Sequence, residues 1–263
     1  MYNIENYESV MQTESSDVVS DRYSFIPTTQ VLDVFENQGW TPSKVSQVSA
    51  RKEETRGFQK HMIRLRQNLR TMQVGDLFPE IVLTNSHCGS AAFQVMAGLF
   101  RLVCSNGLTV ADSTFQTHRI KHIGYTDQKV VDATYSIIEE TPKILEKVNE
   151  FKAIELSKDE RQIFGEAAID LLYSEEEMAE KKMSKGNTAQ RMIMPVRNAD
   201  AAPSLWNTFN TVQEKITKGR IPLMNMENRY RVGMTRKIKS IDKDIKLNKA
   251  LWTLAEKMAE LKK

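Results

Sequence analysis

Residues 79–90 read PEIVLTNSHCGS, and residues 91–104 continue as AAFQVMAGLFRLVC. Apolar and polar side chains alternate through much of both stretches, which is the period of a β-strand with one face toward a core. Gly89 lies in the short polar segment between them, and glycine readily adopts the positive φ that a tight connection requires. We therefore predict two strands joined by a turn around residues 88–90.

The alternation continues on both sides and predicts a β-rich front half. We expect its strands over residues 44–51, 58–69, 80–85, 92–104 and 115–123. An apolar run from Val31 to Phe35 follows Thr28 and Thr29 and ends before Gly39, the pattern of a short capped helix. Residues 1–21 carry five acids and no base, and they lack an apolar period. They predict a flexible acidic arm over 1–22, either disordered or loosely docked, before a β-rich core domain over 23–126.

After Asp127 the apolar residues recur at steps of three and four, which is the period of an amphipathic helix. Pro142 must kink or divide the first helical segment. Ser157 and Glu160 have the spacing of a capping box at the start of a second helix.

Further along, residues 174–204 read as loop, and helices are expected over 205–216 and 241–261. We therefore predict an α+β fold, with an N-terminal curved antiparallel β-sheet and a packing helix, followed by a helical C-terminal half. That half, residues 127–263, is expected to pack on the core and to mediate oligomerisation, chiefly through residues 205–261.

The composition is typical of a globular protein, with 263 residues of which 40% are hydrophobic and 27% charged. No apolar run approaches the roughly 20 residues of a membrane-spanning helix, and residues 1–21 lack a signal pattern. We expect a cytoplasmic protein that does not act at membranes. Cys88 and Cys104 are the only cysteines, and their spacing fits neither a disulfide framework nor a zinc module.

The net charge of +3 conceals an uneven distribution. Residues 44–70 hold eight bases against two acids, residues 139–177 hold twelve acids against five bases, and residues 218–249 hold ten bases against three acids. Because partners respond to local fields, the two basic regions are candidate sites for a polyanion.

Basic residues in the predicted strands recur at a period of two. Arg64 and Arg66 therefore share one strand face, Arg119 and Lys121 share another, and Arg101 lies inside the run GLFRLV. If the strands are neighbours in a compatible register, these five residues form a positive stripe that suits a phosphate backbone. Three residues of a flanking hairpin extend it: Lys52, Arg56 and Lys60. The alternative is a solvated outer face with several screened ion pairs.

A second candidate contact lies in the basic segment 226–249. Tyr230 stands between Arg229 and Arg231, and an aromatic ring between arginines stacks on an unpaired base while the guanidiniums hold its phosphates. The alternative is a basic linker that packs on the acidic middle of its own or a neighbouring subunit. Trp206, Phe209 and Trp252 have helical spacing and are expected in the core or at a subunit contact.

Catalytic signatures are weak. His87 and Cys88 are adjacent in a predicted strand, so their side chains point to opposite faces and do not form a nucleophile–base pair. His87, His118, His122 and Cys104 have no short paired metal-ligand motif, and the common phosphate-loop, dinucleotide, HExxH and GxSxG patterns are absent from the sequence. We predict a non-catalytic protein without a cofactor or metal.

The stretch from Asn85-Ser86-His87 through FRLVCSNG, residues 100–107, resembles a family of uncharacterised proteins carried by phages, prophages and plasmids, the domain of unknown function 932. The resemblance extends from about Tyr23 to Lys152. Its members commonly have Asp after the Ser-His pair, where this chain has Cys88. It implies a mobile genetic element in a bacterial host cell, and it implies no reaction.

A curved sheet with basic residues, backed by helices, is also similar to the architecture of ring-forming single-strand DNA annealing proteins. That likeness implies an oligomer, as a ring or filament, which holds one strand in a basic groove without a nucleotide cofactor. Fold likeness alone does not establish function.

These observations predict a DNA-binding protein of phage or plasmid type, which binds single-stranded DNA and promotes ATP-independent annealing and recombination as an oligomer. The predicted phosphate contacts are Lys52, Arg56, Lys60, Arg64, Arg66, Arg101, Arg119, Lys121, Arg229 and Arg231. The alternative is a protein-binding module that inhibits a host defence complex through its acidic helical region. A nuclease would require a carboxylate or histidine cluster that the sequence does not display.

Overall fold

A computed structural model describes residues 3–50, 52–67, 77–102, 106–110, 117–122, 126–225 and 230–263. The chain divides into two compact units, Met1–Pro142 and Lys143–Lys263. The first contains an antiparallel sheet and the second is mostly helical, so the fold is α+β as predicted.

The sheet of the first unit is an antiparallel meander. Its strands are β1 (Trp40–Gln47), β2 (His61–Gln67), β3 (Leu77–Asn85), β4 (Phe93–Arg101), β5 (Asn106–Val110) and β6 (His118–Ile120). Strands β1 to β5 are neighbours in chain order, while β6 pairs with the first residues of β4 and β5 with its last residues. Asn106 and Gly107, a residue pair typical of a turn, instead pair with β4 as part of β5.

One face of the sheet carries the odd-numbered residues of β2, β3 and β4, and helix α1 (Thr28–Glu36) packs on it. Val31, Leu32 and Phe35 are its buried apolar residues, as expected from the run that predicted the helix. The helix begins after Pro27 without a side-chain cap. The Thr28 hydroxyl instead bonds with His61, Asn85 and His87, so the predicted threonine cap is wrong.

Residues 3–22 dock within the first unit, so of the two alternatives for the arm predicted over residues 1–22 the structure has the docked one. Val10 and Ser9 are fully buried, and the Ser9 hydroxyl donates to Gln47 Oε1 at 2.7 Å. Ser16 donates from its backbone N–H to the His87 carbonyl and from its hydroxyl to the Glu54 carbonyl. The acidic residues of this segment are exposed to solvent. Its serines Ser9 and Ser16 are buried and form hydrogen bonds with other residues of the first unit.

Helix α2 (Asp127–Ala153) runs through Pro142 without a break, so of the predicted kink or division the division does not occur. Its first half belongs to the sheet unit and its second half to the helical unit. The boundary between compact units therefore lies at Pro142, inside a helix, and not at the predicted position between residues 126 and 127.

The second unit contains five further helices and a hairpin. These are α3 (Lys158–Asp170), α4 (Glu175–Glu180), α5 (Lys185–Ile193), α6 (Leu205–Lys218), α7 (Ile241–Leu261), and strands β7 (Pro222–Met224) and β8 (Arg231–Met234). Helices α6 and α7 and the capping box of Ser157 with Glu160 confirm the predictions. The loop predicted over 174–204 is wrong, because α4 and α5 begin there at serine N-caps, Ser174 and Ser184.

The core of the second unit is built around aromatic rings. Trp252 of α7 lies 5.2 Å from Phe151 and 5.9 Å from Phe209, and Trp206 stacks on Phe209 at 5.7 Å between centroids. All four rings are buried, which confirms the core alternative for both tryptophans and Phe209. Within the parts of the chain that the structure describes, no helix is both long and apolar enough to cross a membrane.

Candidate nucleic-acid interface

The predicted sheet arginines lie together but face a buried acid. Arg64 and Arg66 share one face of β2, as predicted, and Arg66 pairs directly with Glu80 of β3. Arg64 Nη1 lies 2.9 Å from Glu80 Oε2, and Arg66 Nε lies 2.7 Å from Glu80 Oε1. Arg64 also donates to Thr109 Oγ1 at 3.1 Å. Because the Glu80 side chain is fully buried and Arg64 is 2% exposed, this is an internal ion triad.

Arg66 is the more accessible of the two arginines, with 27% of its side chain exposed. Its guanidinium lies 3.4 Å from the centroid of the Phe100 ring, a cation–π contact on the same sheet face. The guanidinium thus has a carboxylate and a ring as partners. Contact with an external phosphate would compete with both, so the geometry favours a structural role for this pair.

The remaining strand cations do not extend a stripe from this pair. Arg101 pairs with Leu77 and lies on the opposite face, where it is buried. Lys60 is also buried, and Lys52 and Arg56 are exposed beside Glu54 and Glu53. The continuous positive stripe expected across the sheet is therefore not formed, because register places Arg101 on the other face and Glu80 neutralises the centre.

Arg119 and Lys121 are exposed cations near the end of the sheet unit's last described strand. Arg119 pairs with Gln94 and therefore shares a face with Arg64, three strands away. Lys121 follows the last residue of β6. Neither makes an ion pair among the described residues, so both are available to an anion. Arg229, another predicted contact, lies outside the described residues.

The second unit carries a groove with a different character, here called the C-terminal groove. It has a volume of about 680 Å³ and is formed by α4, β8, residues 235–240 and the first turn of α7. The cations that line it are Lys181, Arg236, Lys237, Lys239 and Lys243, and Glu177 is the acid among its lining residues. All five cations are exposed, and none makes an ion pair within the described parts of the chain.

The C-terminal groove also has apolar walls. Tyr173 and Leu223 line it together with Val232 and Met234, the two exposed apolar residues of β8. Burial, with the nearby Glu177 carboxylate as a smaller cause, raises the pKa of Tyr173, so its hydroxyl stays neutral at physiological pH. Beside the groove in sequence, Tyr230 is 74% exposed and Arg231 is exposed. Flat apolar surface with a rim of cations suits bases that are not paired with a second strand.

A glycine sets the path of the basic segment. Gly219, after α6, has φ +72°, and a Cβ there would lie 2.5 Å from the Arg236 carbonyl carbon and 2.6 Å from the Lys237 nitrogen. The Ile238 N–H donates to the Thr217 carbonyl at 3.2 Å, and Arg220 and Thr235 bond through their backbones. The end of α6 therefore holds residues 235–238 in place along the groove.

The family-like segment 85–90 forms a buried polar cluster with the histidines. Thr28 Oγ1 lies 2.9 Å from His61 Nε2, 3.2 Å from His87 Nε2 and 3.0 Å from the Asn85 amide nitrogen. The Asn85 amide also donates to the Ile26 carbonyl. All of these side chains are buried, so they tie α1 to strands β2 and β3.

Hydrogen-bond accounting assigns the tautomers. His61 Nδ1 faces the Gln59 carbonyl at 3.3 Å and so carries the proton, which makes His61 Nε2 the acceptor of the single Thr28 hydroxyl proton. His87 Nε2 must then donate to Thr28, and among the described residues no hydrogen bond is formed by the buried His87 Nδ1. Both rings are therefore neutral in this arrangement.

The pKa values agree with neutral rings. Burial lowers the pKa of His61 to about 4, and burial, with His61 and His122 as smaller causes, lowers that of His87 to about 3. Burial also lowers the pKa of His122, whose ring stacks on Tyr23 at 4.4 Å. Sequence reasoning did not single out His61 and treated Thr28 only as a helix cap; the signal for His61 was its position at the start of an alternating strand.

The motif shows no nucleophile–base geometry. Cys88 Sγ lies 3.4 Å from the hydroxyls of Ser86 and Ser90, and those hydroxyls lie 2.7 Å from each other. His87 contacts Thr28 instead, on the buried side. Cys104, which was considered as a metal ligand, is outside the described residues, and among the described residues no three acidic, histidine or cysteine side chains could hold a metal ion.

Comparison with known proteins gives a family over most of the chain. Residues 16–252 match the model of the domain of unknown function DUF932. The chain is similar to two proteins of Escherichia coli strain K12, UPF0380 protein YafZ and UPF0380 protein YfjQ. Each is 32% identical over 249 residues, which cover 94% of this chain and 86% of the relative. No solved structure matches the chain.

Proposed function

The chain belongs to the DUF932 family, and from the chemistry of its C-terminal groove we propose that it binds single-stranded DNA. The supporting observation is the lining: five exposed cations around apolar walls, with one carboxylate among them. Phosphates of a strand would contact the cations, and unpaired bases would lie against Tyr173 and the apolar side chains of β8. A duplex keeps its base faces stacked and would use only the cations.

The proposal includes the wider activity predicted from sequence. Holding one strand with its bases accessible promotes pairing with a complementary strand, and that step consumes no nucleotide. An oligomer would extend the groove along the strand in the cytoplasm of the host cell. Arg231 and Tyr230, exposed at the start of β8, would extend the same surface.

The experiment compares three proteins on fluorescent single-stranded and duplex DNA at a series of salt concentrations. The groove variant is Arg236→Gln/Lys239→Gln, and the control is Lys257→Gln, an exposed lysine near the other end of α7. Two lost phosphate contacts should lower affinity at least about tenfold and reduce the slope of log affinity against log salt by about 1.4. The control should match the wild type.

The mass of the complex and the rate at which complementary strands pair complete the test. A large complex that accelerates pairing without ATP supports annealing. Equal salt slopes for the wild type and a folded groove variant would contradict the proposed site. If the wild type binds neither DNA at low salt, the proposal is wrong and the acidic-helix alternative, a protein partner, becomes the subject of capture experiments.

A further inference from the structure

A second groove lies within the sheet unit, between β6 and the first turns of α2. It has a volume of about 460 Å³. Its lining residues are His118, Arg119, Ile120, Lys121, Lys129, Asp132 and Ala133. Three cations thus face one carboxylate in a space comparable to a single nucleotide.

A buried polar atom beside the groove has no hydrogen-bond partner among the described residues. This atom is His118 Nε2. A buried ring nitrogen that has lost water without gaining a partner is unfavourable, so such atoms commonly mark a place for water or a ligand. His118 is one of the lining residues, so this atom lies beside the groove.

The charges around His118 favour an anion. Arg119 and Lys121 are exposed and make no ion pair among the described residues, while Lys129 lies in the first turn of a 27-residue helix. The N-terminal end of a helix carries partial positive charge. The Asp132 carboxylate accepts a hydrogen bond from Gln128 at 2.7 Å, which partly offsets its repulsion of an anion.

We propose that the β6–α2 groove binds a phosphate monoester. A monoester carries a charge between about −1.5 and −2 near neutral pH, whereas each phosphate of a strand interior carries −1. Cations that converge in one short groove match the more highly charged group. Arg119 offers the planar fork that suits phosphate oxygens, and Lys121 adds a point charge.

This site does not depend on strand binding at the C-terminal groove. Its ligand has two sources, a free nucleotide or the 5′-phosphate at the end of a strand. The first arm of the test titrates the full chain with 5′-deoxyadenosine monophosphate and with deoxyadenosine by calorimetry. The second arm measures the affinity of oligonucleotides that differ only in carrying a 5′-phosphate or a 5′-hydroxyl.

The site variant is Arg119→Gln/Lys121→Gln, and the control is Lys143→Gln, an exposed lysine further along α2. In at least one arm, the phosphate-bearing ligand should bind about tenfold more tightly than its partner, and the site variant should lose that preference. The control and the C-terminal groove variant should keep it. Circular dichroism confirms that each variant is folded.

A preference in the first arm alone identifies a free nucleotide, and one in the second arm alone identifies a strand end. The absence of a phosphate preference in both arms overturns the site. A preference that survives in the folded site variant overturns it as well. If the C-terminal groove variant loses strand binding but keeps the phosphate preference, the two grooves act independently. The phosphate site can then stand or fall separately from the proposed function.

Discussion

The arginines of β2 and the cations of the C-terminal groove look alike in sequence and differ in the structure. Both sets are closely spaced basic residues, one in β2 and the other largely in the segment between β8 and α7. Arg64 and Arg66 share Glu80 inside the sheet unit, whereas Arg236 and Lys239 are exposed without an ion pair among the described residues. The buried Glu80 carboxylate on the neighbouring strand pairs with the β2 arginines, so this cluster is structural. The groove cations have no such counter-charge among the described residues and are open to a polyanion.

The largest expected effect is at Glu80. Glu80→Gln should lower the free energy of unfolding by about 3–5 kcal/mol, because it leaves two guanidiniums without their counter-charge in a buried site. Chemical denaturation measures the loss. Glu177→Gln, in the C-terminal groove, is the matched change and should alter stability by less than about 0.5 kcal/mol. Equal losses of stability at the two positions would contradict the claim that the β2 cluster is structural and the groove cluster is not.

The histidine cluster should make the sheet unit sensitive to acid. Since burial holds the folded pKa of His61 near 4 and that of His87 near 3, both below the unfolded value near 6.5, the unfolded chain binds more protons. Stability is therefore fully present above about pH 6.5 and falls as the pH drops toward 4, by about 2 kcal/mol at pH 5 for each ring.

Denaturation midpoints between pH 7.5 and 5 measure this slope, and His87→Asn should reduce it. Local hydrogen exchange should accelerate first around α1 and segment 85–90, while α7 is affected less. A flat profile over this pH range would show that the two rings are not held neutral by the cluster.

Two glycines with similar positive φ should differ in their cost of substitution. Gly219→Ala should destabilise the protein by about 2–3 kcal/mol, since its Cβ would strike the backbone of Arg236 and Lys237 at a positive φ. Gly39→Ala, at φ +81° with nothing within 4 Å of the added Cβ, should cost about 1 kcal/mol from strain alone. Thermal unfolding compares them.

Gly219→Ala should also weaken single-strand binding, because residues 235–238 line the groove and shift with the substitution. Gly39→Ala should leave binding unchanged. If both variants bind single-stranded DNA as tightly as the wild type, the position of residues 235–238 does not matter for binding in the groove.

Sequence patterns identified elements whose signals are local. Helix α7 was predicted at its observed bounds, and the Ser157 capping box was recognised because both bonding residues lie within one turn. The same pattern at Ser174 and Glu177 was available and would have located α4. The β7–β8 hairpin was missed because its strands have three and four residues, too few to show a period.

The sites depended on contacts between distant residues. The shared face of Arg64 and Arg66 followed from a period of two, but the position of Glu80 opposite Arg66 required the register of β2 and β3. The convergence of Thr28, His61 and His87 likewise joins three separate segments. The alternation of side chains along a strand predicts which residues share a face. Only the register between strands shows which residues of the neighbouring strand lie beside them.

The most direct test places Arg66→Gln beside Arg236→Gln in the same single-strand titration across salt concentrations. The groove substitution should reduce the salt slope by about 0.7 and lower affinity several-fold with little change in stability. The sheet substitution should lower stability by ~1 kcal/mol or more and leave both the affinity and the slope of the folded protein unchanged. The reverse pattern, with the slope falling for Arg66→Gln alone, would contradict the account and return the strand contact to the sheet.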